Sequence, residues 1–260
     1  MIELDRGVDR AAGLEAIARE VRSCTNCRLH QTRTLAVPGE GSPDTEVVFV
    51  GEGPGYNEDR QGRPFVGRAG ALLAKFLGSL GWRREDVFIT NIVKCRPPEN
   101  RDPEPDEIAA CAPYLRRQLE ILDPALVVTL GRHSLGRFMP GARISQAHGR
   151  VQPVDPATGA ANALAFALYH PAAALRATEI ERTSYEDVAR IPGALLEARA
   201  KRANGVAAPL AAPLAAPEVV PPTVASEPSA AAAPAFDELT DSLFQAAPDP
   251  GAPEDQLTLF

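Results

Sequence analysis

Four stretches of the chain carry apolar side chains with little alternation: Val47 to Val50, the core of Asp86 to Val93, Leu126 to Leu130, and Leu164 to Tyr169. Short unbroken apolar runs suit strands covered on both faces, as in a parallel sheet between helices. Between and around them lie segments that read as helices. These are Leu14 to Val21, Ala69 to Leu80, Pro105 to about Ile121, Arg132 to Phe138, and roughly Tyr185 to Arg202. Pro105 at a first helical turn, with Glu104, Asp106 and Glu107 beside it, marks a helix start. Ile144 to Val154 reads as a small hairpin or loop. Strands alternating with helices predict an α/β domain: a four-stranded parallel sheet flanked by helices in three layers.

Composition divides the chain. Of 260 residues, the first 202 carry 27 bases and 26 acids, a net charge of +1. The remainder holds 8 acids and no base, so the whole-chain charge of −7 belongs to the tail. Residues 203–255, rich in Ala and Pro, read as a disordered acidic linker, since such a composition buries too little apolar surface to fold. No segment reaches the roughly 18 apolar residues of a membrane span, and Met1 to Val21 lacks a signal-peptide profile. The expected setting is the cytoplasm, where four cysteines read as metal ligands rather than disulfides.

Cys24 and Cys27 form a Cys-x-x-Cys pair, and Cys95 and Cys111 lie far along the chain. A close pair bites one metal or cluster, and distant thiolates complete a four-thiolate site when the fold unites them. Spacing alone leaves zinc and a 4Fe–4S cluster both open. The strand ends form a second constellation. The first strand stops at Gly51-Glu52-Gly53-Pro54-Gly55, the second reaches Asn91, and the fourth runs into His170. A parallel sheet delivers this carboxylate, amide and imidazole to its ligand-binding edge. His30 and His133 read as ordinary histidines, and His148 with Arg150 as a pair for which the sequence leaves a DNA-facing role open.

The stretch GEGPGYNEDRQGRPFVGRAG, the strand end TNIVKCRPPENR, the later HPAAAL and the cysteine spacing resemble the family 4 uracil-DNA glycosylases. These are iron–sulfur enzymes of the uracil-DNA glycosylase superfamily, and the resemblance covers roughly residues 20 to 200. It implies a 4Fe–4S cluster on Cys24, Cys27, Cys95 and Cys111, and hydrolysis of the N-glycosidic bond of deoxyuridine in DNA. It further implies that Phe65 stacks on the flipped base, that Asn91 reads its imide edge, and that His170 donates to O2. Backbone N–H groups around Glu52 and Gly53 would assist His170. Glu52 is assigned to the sugar or the attacking water, and Glu58 to the wall that excludes a thymine methyl. In the best-known branch an aspartate stands where this chain has Gly53, so the water-activating role does not transfer by position. Leu175 and Arg176 resemble the loop that fills the gap left by the flipped base. One relative traps uracil-DNA through a histidine in an insertion; CRPPENRDPEPDEIAAC has neither, which predicts ordinary turnover. Alternatives are a sister glycosylase for hypoxanthine or mismatched thymine, or a non-enzymatic metal-stapled adaptor. Gln256, Leu257, Leu259 and Phe260 in QLTLF resemble the peptide by which repair proteins dock on the β sliding clamp. Residues 256–260 are thus expected to be a clamp-binding motif, on a tether spanning on the order of 40 Å. The enzyme is expected to be monomeric and nucleoid-associated during repair.

Overall fold

A computed structural model describes residues 3–204, with side chains from residue 10 onward. Helix α1 (Glu3–Ser23) leads into strand β1 (Glu40–Gly41) and strand β2 (Val47–Gly51). Then follow α2 (Tyr56–Gln61), α3 (Arg68–Ser79), β3 (Phe88–Asn91), α4 (Pro105–Leu122) and β4 (Leu126–Leu130). The body closes with α5 (Arg132–Phe138), α6 (Ile144–Ala147), β5 (Val151–Pro153), β6 (Leu164–Leu168), α7 (Pro171–Ala174), α8 (Thr178–Val188) and α9 (Ile191–Asn204).

The sheet has six strands in the order β1-β3-β2-β4-β6-β5. Its central four, β3-β2-β4-β6, are parallel and correspond to the four apolar runs. The expectation of four parallel strands needs correction, because antiparallel strands β1 and β5 cover the two edges. Both are too short and too polar to register as apolar runs. At Gly41 (φ +135) a Cβ would stand 1.9 Å from the Val87 carbonyl oxygen, so only glycine permits that edge pairing. Pro153 closes β5, at a sheet edge where a missing N–H is tolerated.

Every residue of β2, β3, β4 and β6 is buried. Alternate side chains feed two cores, one on each face. Val47, Phe49, Ile89 and Val128 meet Leu73, Phe76 and Leu77 of α3 and Ala194 and Ala198 of α9. Val48, Val50 and Val127 meet Leu115 and Leu119 of α4 and Leu135 and Phe138 of α5. A third cluster joins Ile17 and Val21 of α1 to Leu29, Ala36 and Cys95. The single last helix expected over Tyr185 to Arg202 is two, α8 and α9. Pro192 in the first turn of α9 lacks the N–H that would bond back to Val188, which forces a break there. The described helix α9 runs to Asn204, two residues past the expected boundary at 202. The linker and the QLTLF motif lie outside the described residues. Among those described, no helix is long and apolar enough to cross a membrane.

Candidate active site

Register places the strand ends together. Gly51 of β2 pairs with Asn91 of β3, and Leu130 of β4 with Leu168 of β6. Glu52, Asn91 and His170 therefore leave the sheet at one edge, as the strand pattern implied.

Asn91 is 1% exposed, and its Oδ1 is buried with no hydrogen-bond partner among the described residues. An unpaired buried acceptor costs about 1–3 kcal/mol, which points to a ligand donor that completes it. A Cβ on Gly51 would stand 2.4 Å from Asn91 Oδ1 and 2.6 Å from Phe65 Cζ. Bare backbone thus lets the amide and the aromatic ring converge. The Phe65 ring lies 5.8 Å from the His170 ring, centroid to centroid, with the planes 34° apart. Phe65 is held at φ +51, a conformation that strains a bulky residue. Arg84 fastens it by donating to the Pro64 and Phe65 carbonyls at 2.6 and 2.9 Å. Glu58 Oε1 accepts from the N–H groups of Val66 and Gly67 at 2.8 and 2.9 Å. Glu58 therefore braces the loop that presents Phe65, in addition to any contact with a ligand.

His170 caps α7, its Nδ1 accepting from the Ala172 N–H at 3.1 Å. That bond assigns the ring proton to Nε2, which is left as a donor. Burial, followed by the charge of Arg176, pushes the pKa of His170 down to about 4, against an opposing pull from Glu58. The ring is neutral at physiological pH.

Sequence reasoning missed the surroundings of Glu52. His133 Nε2 lies 3.8 Å from Glu52 Oε2 and 3.2 Å from Asp102 Oδ2. Arg132 pairs with Asp102 and donates Nε–H to His133 Nε2 at 2.9 Å. His133 had only the reading of an ordinary histidine. The available signal was that β4 stops at Leu130, before Gly131, so Arg132-His133 arrives at the same edge as the other strand ends. Burial raises the Glu52 pKa above the usual carboxylate value; Asp102 adds to this, while His133 and Arg132 oppose it. Glu52, Asp102 and His133 offer ligand atoms within 4.8 Å of one another, but the Arg132 guanidinium already supplies the positive charge there. At Gly53 a Cβ would stand 2.8 Å from the buried Val93 Cγ2, which leaves little room for an aspartate.

All four cysteines line one cavity, with Val21, His30, Arg33, Lys94 and Tyr114. Three N–H donors point at sulfur: Arg33 Nη1 to Cys95 at 2.9 Å, the Lys94 amide to Cys111 at 3.2 Å, and the Asn26 amide to Cys24 at 3.5 Å. Burial pushes the Cys111 thiol up to about 12 and raises Cys95. Such thiols stay protonated unless a metal displaces the proton.

Leu175, just past α7, is exposed, and Arg176 follows it. His148 is instead tied to buried Asp187 at 2.7 Å, which gives it a structural partner. His30 Nδ1 contacts the Cys27 carbonyl at 2.7 Å. Gln256, Leu257, Leu259 and Phe260 lie outside the described residues.

The family model described as "Uracil DNA glycosylase superfamily" matches residues 38–190. The chain is 48% identical over 184 residues to the type-4 uracil-DNA glycosylase of Sulfurisphaera tokodaii, covering 68% of this chain and 83% of that one. It is 47% identical over 177 residues to the type-4 enzyme of Thermotoga maritima, covering 67% and 91%. A type-5 uracil-DNA glycosylase of Thermus thermophilus is 37% identical over 114 residues, covering 38% and 52%. The match spans the whole strand-end edge, and the type-4 relatives align along most of their own length. The chain belongs to the uracil DNA glycosylase superfamily, in its type-4 branch.

Proposed function

We propose that this protein removes uracil from DNA by hydrolysing the N-glycosidic bond of deoxyuridine, the first step of base-excision repair. The observation that carries the reading at this site is the orphaned, buried Asn91 Oδ1 beside the Phe65 and His170 rings. The target base leaves the stack, at a cost of a few kcal/mol. Phe65 stacks on it, a contact worth on the order of 1–3 kcal/mol. Asn91 Oδ1 accepts N3–H and its amide N–H donates to O4. Cytosine presents the opposite pattern and leaves the buried amide mispaired, which supports discrimination of roughly 10⁴ or more.

As the C1′–N1 bond breaks, its electron pair stays with the base. The neutral His170 donates Nε2–H to O2, where the negative charge gathers, with N–H groups of the Glu52–Gly53 turn assisting. The sugar becomes oxocarbenium-like. Glu52, ionised, stabilises that cation, orients the water whose oxygen bonds to C1′ and takes that water's proton, which passes through solvent to the uracil anion. His133 and Asp102 complete the polar surroundings of that carboxylate.

Cys24, Cys27, Cys95 and Cys111 would hold a 4Fe–4S cluster. The shared cavity and the N–H donors aimed at sulfur support a thiolate-bound group. The same four-thiolate set would suit zinc, and it is the likeness to type-4 enzymes that selects the iron–sulfur cluster. When bound, the group supplies a four-armed cross-link between the end of α1, the loop after β3 and α4. The QLTLF motif would dock on a β sliding clamp while the body works on DNA as a monomer. Deleting residues 256–260 should then remove clamp binding; unchanged binding would refute it.

Release of base from oligonucleotides holding uracil, hypoxanthine or mismatched thymine tests the main reading. Uracil alone should be released at an appreciable rate. Release of hypoxanthine or thymine in preference would favour a sister specificity, and no release at all an adaptor.

A further inference from the structure

Beside the Glu52–Gly53 turn stands a group that the base pocket does not use. Tyr56, the first residue of α2, is 53% exposed. Two guanidinium groups face its ring: Arg96 with Cζ 5.2 Å from the centroid, and Arg60 with Cζ 5.7 Å. Arg60 Nη1 also donates to the Tyr56 hydroxyl at 3.2 Å, and Arg96 Nε to Asn100 Oδ1 at 2.7 Å.

Four arginines of the neighbouring segments are spent on carboxylates. Arg63 and Arg84 pair with Glu40, Arg101 with Glu107, and Arg132 with Asp102. Among the described residues, neither Arg60 nor Arg96 has a carboxylate within ion-pair distance. Two cations are instead fixed on an aromatic ring and a neutral amide, which orders them and leaves their charge unanswered. The loop behind Arg96 is strained as well: Glu99 (φ +56) and Asn100 (φ +55) are consecutive non-glycine residues in the left-handed region. Strain of this kind persists where the surroundings hold a side chain to a task. Here it carries Asn100 Oδ1 to Arg96. The group borders the site, because Pro97, next to Arg96, has Cδ 3.8 Å from where a Gly53 Cβ would be.

We infer that Arg60 and Arg96, ordered on the Tyr56 ring, form a phosphate clamp for the uracil-bearing DNA strand beside the excised nucleotide. Planar guanidinium groups suit phosphodiester oxygens, and such contacts fix the register of a strand without reading its sequence. The inference rests on the uracil-DNA reading above and adds how the strand is held while the base is out. Because Arg96 follows Cys95 directly, the cysteine site also fixes one arm of the clamp.

The test measures binding of full-length protein to an oligonucleotide whose deoxyuridine carries a 2′-fluorine to block cleavage, across a salt series. Each phosphate contact contributes roughly 0.7 (single strand) to 0.9 (duplex) to the slope of log affinity against log salt. The double variant Arg60→Gln, Arg96→Gln should lose about 1.4–1.8 from that slope. Tyr56→Leu keeps both charges but loses the ring, so affinity should fall with a smaller change of slope; Tyr56→Phe should restore most of it. Arg83→Gln, which removes an arginine paired with Asp86, should leave the slope unchanged. A double variant with the unaltered slope overturns the clamp, and so does an equal loss in Arg83→Gln, which would reduce the effect to net charge. The slope is read without turnover. A preparation that binds with the expected slope yet releases no uracil supports the clamp and fails the catalytic reading alone.

Discussion

On the proposed reading, the two halves of the strand-end edge handle the same nucleotide by opposite means. On the base side, Asn91, Phe65 and His170 are buried or half-buried, uncharged, and held by backbone contacts: Gly51 beneath, Arg84 behind Phe65, the Ala172 N–H on His170. On the sugar side, Glu52 sits among Asp102, His133 and Arg132, all ionisable and partly exposed. The difference follows from the reaction. Recognition is best served by neutral groups whose mispairing is costly, whereas a cation developing at C1′ needs a charge that the site keeps available.

The largest expected effect is on the base side. Asn91→Ala should lower single-turnover uracil release by about 10⁴-fold, through loss of both imide contacts. A loss under tenfold would show that the pocket wall, rather than this amide, does the reading. Next comes Glu52→Gln, expected to cost roughly 10²–10³-fold. This variant also separates the two halves by pH. The Glu52 pKa is raised, so its active carboxylate form is lost as pH falls through a value above 4.5. His170 takes its proton only at about 4. The acidic limb of the rate profile should therefore lie above 4.5 and vanish in Glu52→Gln; a limb that survives belongs to another group. Phe65→Ala should cost roughly ten- to a hundredfold and fall mainly on binding of the flipped base. The smallest change is expected for His133→Gln. It removes a group that holds the Glu52 pKa down, so the acidic limb should move to higher pH with little loss on the alkaline side. A limb that stays in place would detach His133 from Glu52.

The four central strands were legible because each is a continuous apolar run, and the strand-end logic followed from them. Glu40–Gly41 and Val151–Pro153 were not, since edge strands this short leave no periodic trace. Helix α2 was invisible for a similar reason: among its six residues only Asp59 is buried. Within the site, the strand ends named Glu52, Asn91 and His170 and the resemblance added Phe65, but neither named what holds them. The left-handed backbone of Phe65 depends on Arg84, and the environment of Glu52 on residues 50 and 81 positions further on. Such contacts are properties of the folded topology. His133 was within reach nonetheless, had the end of β4 been given the same weight as the other three.

Lys94 gives this architecture a history as well as a shape. Its fully buried Nζ donates to the Asn91 carbonyl, to Thr90 Oγ1 and to Gln118 Oε1 of α4, while its amide reaches Cys111. The backbone of Asn91, whose side chain is proposed to read uracil, is thus tied through Lys94 to a helix that lies downstream of it in the chain. During synthesis β3 leaves the ribosome before α4, and contacts between separated segments form late. On the proposed reading, the newborn protein holds Asn91 before it holds the helix that braces that strand end, so the pocket is complete only once α4 has docked.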